Sequence, residues 1–321
     1  MDHEKLPVFD TVKLALRWGV FVVRRHWLII LIFAALLVAT SFVMMAAVEP
    51  GQVPGARFHL LSFGFAVLYG VLSIVLALVT HNEVLRGASG LNAQTLGWGA
   101  GRVLGYAVDS LVLPLFGLLV MFPLVLVVML LTGLIRQIAP PMAPDALIVV
   151  LIIGAWLASV FVVARLVLRL PSRALGQPMP WRDVWRLGRG NTGRLVLAHL
   201  LLGVVLLFLL LPLLLLSLTL TWLLPDLFMQ QSVSVQATAM APVWGQWGVV
   251  ASETALISPI TSVWGILLSL LGNALLLAEI VIFCAFLSVA YAELKRIREA
   301  RAPQTAGSRI YSDPNEPPED F

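Results

Sequence analysis

Charge is scarce in this 321-residue chain: Asp, Glu, Lys and Arg make up 12% of it, against 60% hydrophobic residues. Soluble domains carry about 25% charged residues, so an ordinary water-soluble fold is excluded. Several apolar runs exceed the roughly 20 residues that cross about 30 Å of hydrocarbon. Cysteine is nearly missing as well. Cys284 stands alone, which rules out an intrachain disulfide and argues against a cysteine-based metal site. No Walker A loop, HExxH, GxSxG or paired-carboxylate motif falls on a suitable loop, and nucleotide hydrolysis and hydrolase chemistry are left without a site. No catalytic residue, metal or cofactor is therefore assigned. The longest polar connection, from Pro225 to about Thr261, lacks Lys and Arg altogether.

What is present is an all-α pattern, a polytopic transmembrane helical bundle. Six spans are expected, at about 27–48, 58–80, 103–131, 146–170, 195–222 and 263–291, arranged as three helical hairpins. A lead over residues 1–26 precedes them, and a tail over 294–321 that is first basic, then acidic and Pro-rich, reads as disordered. Pro114, Pro123 and Pro212 lie inside spans, where neighbouring helices can satisfy the freed carbonyls, and bends are expected at the first two. A cleaved signal peptide is the rival reading of the first span. Its charged lead and apolar run are both too long for that.

The segment PMPWRDVWRLGRGNTGRLVLAH, Pro178 to His199, organises the rest. On a helix starting at Pro180, Trp181, Val184, Trp185 and Gly188 share one face while Arg182, Arg186 and Arg189 share the other. That pattern suits an interfacial helix, with indoles in the headgroup boundary and guanidinium groups toward anionic phosphates. Gly190 and Asn191 break it, and Arg194 marks the entry to hydrocarbon. Val8 to Arg25 reads as a second such helix, with Phe9, Val12, Leu16, Gly19, Val20 and Val23 on one face and Asp10, Lys13, Arg17 and Arg24 on another. The basic residues lie beside apolar runs instead of lining a groove, so anionic lipid is the expected partner and nucleic acid is not. All but two of the 21 Lys and Arg, namely Arg57 and Arg136, fall on one side of the six-span arrangement. The positive-inside rule then makes both termini cytoplasmic, in a bacterial inner membrane.

Three times a basic or Trp-bearing segment precedes an outward span that returns into a polar ending: THNEVLRG from Thr80, RLVLRLPSRALG from Arg165, and AYAELKRIRE from Ala290. Such an order is that of three parallel hairpins, or simply of any polytopic chain obeying the charge rule. WRDVWRLGRGNTGRL, FDTVKLALRWGVFVVRRHW and FLSVAYAELKR together resemble a broad group of bacterial six-helix membrane proteins. That group includes the membrane domain accompanying some glycerophosphoryl diester phosphodiesterases. The resemblance implies a six-helix membrane fold. The catalytic barrel of such fusions is a separate domain, so no catalytic residue is carried over.

Ionisable groups inside spans are costly and are candidates for structure or function. Asp109 lies seven residues past Arg102, about 10 Å inward. Either it pairs with Arg165, with His199 nearby, or Arg165 snorkels to the interface and Asp109 is merely hydrated, the pair being the favoured reading. Glu279 lies twelve residues before Tyr291, roughly 18 Å inward and near the midplane. A proton relay or cation site there would draw on Asn273 and Ser269, although Asn273 and Glu279 do not share a face; the simpler reading is a carboxyl hydrogen-bonded to a neighbouring helix. His26, His81 and His199 are read as histidines facing headgroups, not as ligands. Three function classes follow. They are a non-enzymatic scaffold or accessory protein in contact with anionic lipid and a membrane-protein partner, a transporter or lipid-handling protein using Glu279, and a lipid-acting enzyme, for which no acid, base and nucleophile converge.

Overall fold

The computed structural model describes residues 5–46, 56–87, 99–135, 143–223 and 263–301. Among the described residues the regular elements are all helices: α1 Val8–Arg25, α2 Trp27–Ala46, α3 Ala56–Arg86, α4 Ala100–Ile135, α5 Ala143–Leu166, α6 Arg169–Ala174, α7 Trp181–Leu187, α8 Thr192–Leu223 and α9 Val263–Arg301. Six stretches, in α2, α3, α4, α5 with α6, α8 and α9, are long and apolar enough to cross a membrane. Leucine, alanine and methionine favour helix, and a helix satisfies every backbone polar group within itself, which hydrocarbon demands.

Length separates these helices. The 20 residues of α2 reach about 30 Å, whereas the 31 of α3, 36 of α4 and 39 of α9 reach roughly 46, 54 and 58 Å. Expected ends at 80 and 291 are passed without a break: the polar residues Thr80 to Arg86 and the basic stretch to Arg301 continue as helix. Residues 294–301, placed with the tail in the sequence reading, therefore belong to α9, while 302–321 lie outside the described residues. α4 and α8 run on as single helices through Pro114, Pro123 and Pro212.

One end of the bundle gathers the start of α2, the end of α3, the start of α4, the end of α5 and the start of α8, together with the lower part of α9. Bonds from His26 to Glu83, from His81 to Tyr106 and Ser288, from Asp109 to Arg169, and from Arg165 to Thr192 bring them together. Successive long helices therefore alternate in direction. We call this the basic end. α9 is its axis, packed along α1, α2 and α3 and touching α6, α7 and α8. α4 pairs with α5, and α8 rests on α1 and α5 more than on α9.

α1 braces this end from side to side. At its start the Leu6 N–H donates to Asn191 Oδ1 at 3.0 Å and the Leu6 carbonyl accepts from Arg194 at 2.9 Å. It crosses α9 at Gly19, where an added Cβ would lie 2.9 Å from Ile282 Cα, so the two backbones approach as only glycine allows. Packing on α9 also turns the helix relative to the face read from sequence. Thr11, Val12, Ala15, Trp18, Gly19 and Val22 are buried, while Phe9 and Val20 are exposed beside Lys13, Arg17 and Arg24.

Candidate functional site

Asp109 is buried on α4, one turn after Gly105, whose missing side chain leaves the space that Arg173 occupies. Its Oδ2 accepts from Arg169 Nε at 2.9 Å and Arg173 Nε at 2.8 Å. The expected partner, Arg165, is elsewhere: it donates to Thr192 Oγ1 and lies 4.4 Å over the Trp185 ring. The reason is a break in the returning span. α5 ends at Leu166, a turn covers Val167 and Leu168, and α6 restarts at Arg169. That redirected turn carries Arg169 and Arg173, not Arg165, to the carboxylate. Arg169 also covers the Trp181 ring at 4.2 Å and donates to the Met179 carbonyl, and Trp181 itself rests on Phe116. Both indoles of α7 thus cap arginines from α5 and α6.

A second buried carboxylate, Glu83 near the end of α3, meets His26 Nε2 at 2.8 Å and Arg25 Nε at 3.3 Å. It locks the α1–α2 junction to α3. Arg86, at the last turn of α3, donates to the Leu175 carbonyl after α6.

A chain of hydrogen bonds also joins α3, α4 and α9. Ser288 Oγ donates to the Cys284 carbonyl at 2.9 Å, so its lone pair receives His81 Nδ1–H at 2.7 Å. His81 Nε2 is then left to accept the Tyr106 O–H at 3.0 Å. His81 and Ser288 are fully buried. Because the imidazole donates toward Ser288, this histidine and serine form a structural pair and not a base with its nucleophile.

The remaining residues singled out from sequence are dispersed. His199 packs edge-on against Phe283 at 4.9 Å, beside Phe286, and borders a crevice of about 10 Å³, no more than one water's room. Asn273 donates back to the Ser269 carbonyl of its own helix at 2.8 Å. Glu279 is half-buried on α9 and makes a polar or electrostatic contact, while the fully buried Leu277 and Val281, two residues away on either side, lie on another face. Among the described residues no three His, Cys, Asp or Glu side chains are grouped to hold a metal.

The outer rim of the basic end is different. α7 spans only Trp181–Leu187, with Pro180 preceding it, and the turn after it ends at Gly190, whose φ of 85° suits glycine. Arg182, Arg186 and Arg189 are exposed, as read from sequence, while Arg194 is half-buried against Leu6. A cleft of about 280 Å³ opens between this turn and the last turns of α9, lined by Arg186, Arg189, Asn191 and Arg298 over Leu187, Leu294 and Ile297. Nearby carboxylates are engaged elsewhere, Glu293 by Arg296 at 2.7 Å and Glu299 by Lys295 at 3.8 Å. Arg186, Arg189 and Arg298 have no carboxylate partner among the described residues.

Sequence reasoning missed Glu83, Tyr106, Ser288, Arg169, Arg173 and the place of Arg298 in the cleft. A signal for the first was available in the dense polar run THNE continuing an apolar helix, and for the arginines in the four-residue spacing of Arg165, Arg169 and Arg173. The chain matches no family model, no curated protein and no solved structure.

Proposed function

We propose that this protein is a multi-pass component of a bacterial inner membrane, with both termini cytoplasmic, that acts as a non-enzymatic scaffold or accessory protein and holds anionic lipid at its basic end. In this reading the long helices form three hairpins that enter from the cytoplasm, and α1 and α7 lie in the interface. One observation carries it: the cations of the basic end fall into two groups. Arg169 and Arg173 are consumed inside by Asp109, Arg25 by Glu83, and Arg165 by Thr192 and Trp185. Lys13, Arg17 and Arg24 on α1, with Arg182, Arg186 and Arg189, stay exposed on the rim. Phe9 and Val20 sit within the α1 stripe, and that mixture of apolar and basic groups suits a headgroup layer, where each cation contributes about 1 kcal/mol toward anionic lipid.

The test is native mass spectrometry of the protein released from its own membranes, recording lipids and co-purifying proteins together. Phosphatidylglycerol or cardiolipin adducts are expected on the wild type and are expected to fall in a variant carrying Arg182→Gln, Arg186→Gln and Arg189→Gln, with topology unchanged. Equal lipid retention would remove the lipid role. A stoichiometric partner protein supports the scaffold; a lone protein carrying one defined lipid moves the reading to lipid handling, with Glu279 as the next residue to change.

A further inference from the structure

We infer that the cleft between the α7 turn and the last turns of α9 is a binding site for a phosphate monoester, and is selective for it over phosphodiesters. The inference rests on the proposed anionic-lipid reading but commits it to one place and one headgroup chemistry. Three guanidinium groups, from Arg186, Arg189 and Arg298, line one cavity, and no carboxylate lines it. Asn191 adds to this donor surface. Its Oδ1 is already taken by the Leu6 N–H, so what it has left for a ligand is its amide N–H pair. The side chains of the lining residues therefore offer the cavity only donors.

Charge and size choose the ligand. A phosphate monoester carries about −1.5 to −2 charge near neutrality, its second ionisation lying near pH 6, and nearby guanidinium groups favour the dianion. It presents three unsubstituted oxygens to planar donors that bind phosphate in bidentate fashion. A diester offers one negative charge and two free oxygens, and would leave one of the three cations without a partner. The volume of about 280 Å³ is enough for a phosphate and a short polar stub. Leu187, Leu294 and Ile297 form an apolar floor for the carbon chain that the ester brings. The source of the phosphate is either a lipid headgroup or a small soluble ester, and the experiment separates them.

The full chain in detergent would be titrated by native mass spectrometry with short-chain phosphatidic acid and, separately, short-chain phosphatidylglycerol. Inorganic phosphate serves as competitor. Phosphatidic acid is expected to bind one to one, about tenfold more tightly than phosphatidylglycerol, and Arg298→Gln or Arg189→Gln should each weaken it by about tenfold, the loss of one charge-assisted contact. Arg57→Gln, exposed at the opposite end of α3, should leave this binding unchanged. Displacement of phosphatidic acid by millimolar inorganic phosphate points to a soluble ester; resistance to it points to the lipid. Equal affinity for the two lipids, or an unchanged affinity in both cleft variants, overturns the site. Should lipid adducts of native preparations still depend on Arg182 and its neighbours, only the cleft assignment falls and the wider lipid reading stands.

Discussion

The two ends of the long helices obey different rules. At the basic end, Thr80 to Leu85 of α3 are buried in succession, polar and apolar alike, and so is every residue of α9 from Val281 to Tyr291. Farther along α4, Leu118, Leu119, Phe122 and Met129 point outward, Phe122 at 73% exposure against 0% for His81. For a chain in lipid this inverts the usual logic. Hydrocarbon is as good a solvent for Leu118 as another leucine, so little drives such residues together. Polar groups have no such alternative, and a buried Glu83 or His81 must find its partners in protein. Order in this molecule is thus concentrated where the polar residues are.

The sharpest way to break that contrast is at Asp109. Asp109→Asn leaves Arg169 and Arg173 without their carboxylate in a partly buried site, and a loss of about 3–5 kcal/mol is expected from unfolding in detergent. Combined with Arg173→Gln, the two losses should fall well short of additive, whereas Arg165→Gln should add to Asp109→Asn in full. Additivity with Arg173 would remove the ion pair as the organising contact.

A smaller effect is expected in the hydrogen-bonded chain through His81. Tyr106→Phe removes the hydroxyl that donates to His81 Nε2, and the unmet acceptor should cost about 1–3 kcal/mol. Ser288→Ala in the same background should cost less than it does alone. If thermal melting shows Tyr106→Phe to be neutral, that chain contributes nothing to the tightness of this end. Least of all should happen at Phe122. Phe122→Ala in a lipid nanodisc is expected to change stability by no more than about 0.5 kcal/mol, and a loss of several kcal/mol would show that this face is covered in the native assembly.

Much of the architecture was legible without coordinates. Run lengths placed all six long helices, and Arg182, Arg186 and Arg189 are exposed, but α7 ends at Leu187, short of the break expected at Gly190 and Asn191. The partners were harder. A His, Glu or Arg at the end of an apolar run looks the same whether it faces headgroups or a neighbouring helix, so Glu83 was passed over while Glu279, more conspicuous by depth, drew attention. The depth argument also chose the wrong arginine for Asp109, because the break at Val167 and Leu168 is announced only by Pro171, which has no N–H to bond the Val167 carbonyl four residues back.

Composition and periodicity determine that this chain is helical, that six of its helices suit a membrane, and that its cations gather at one end, because each follows from local transfer free energy along the chain. Which cations are spent inside and which remain on the rim was decided by the tertiary structure alone. Asp109 selects Arg169 and Arg173, Glu83 selects His26 and Arg25, and Gly19 sets how closely α1 can cross α9. Those choices depend on distances between segments far apart in the chain, where a rotation of one helical turn separates a buried ion pair from an exposed arginine.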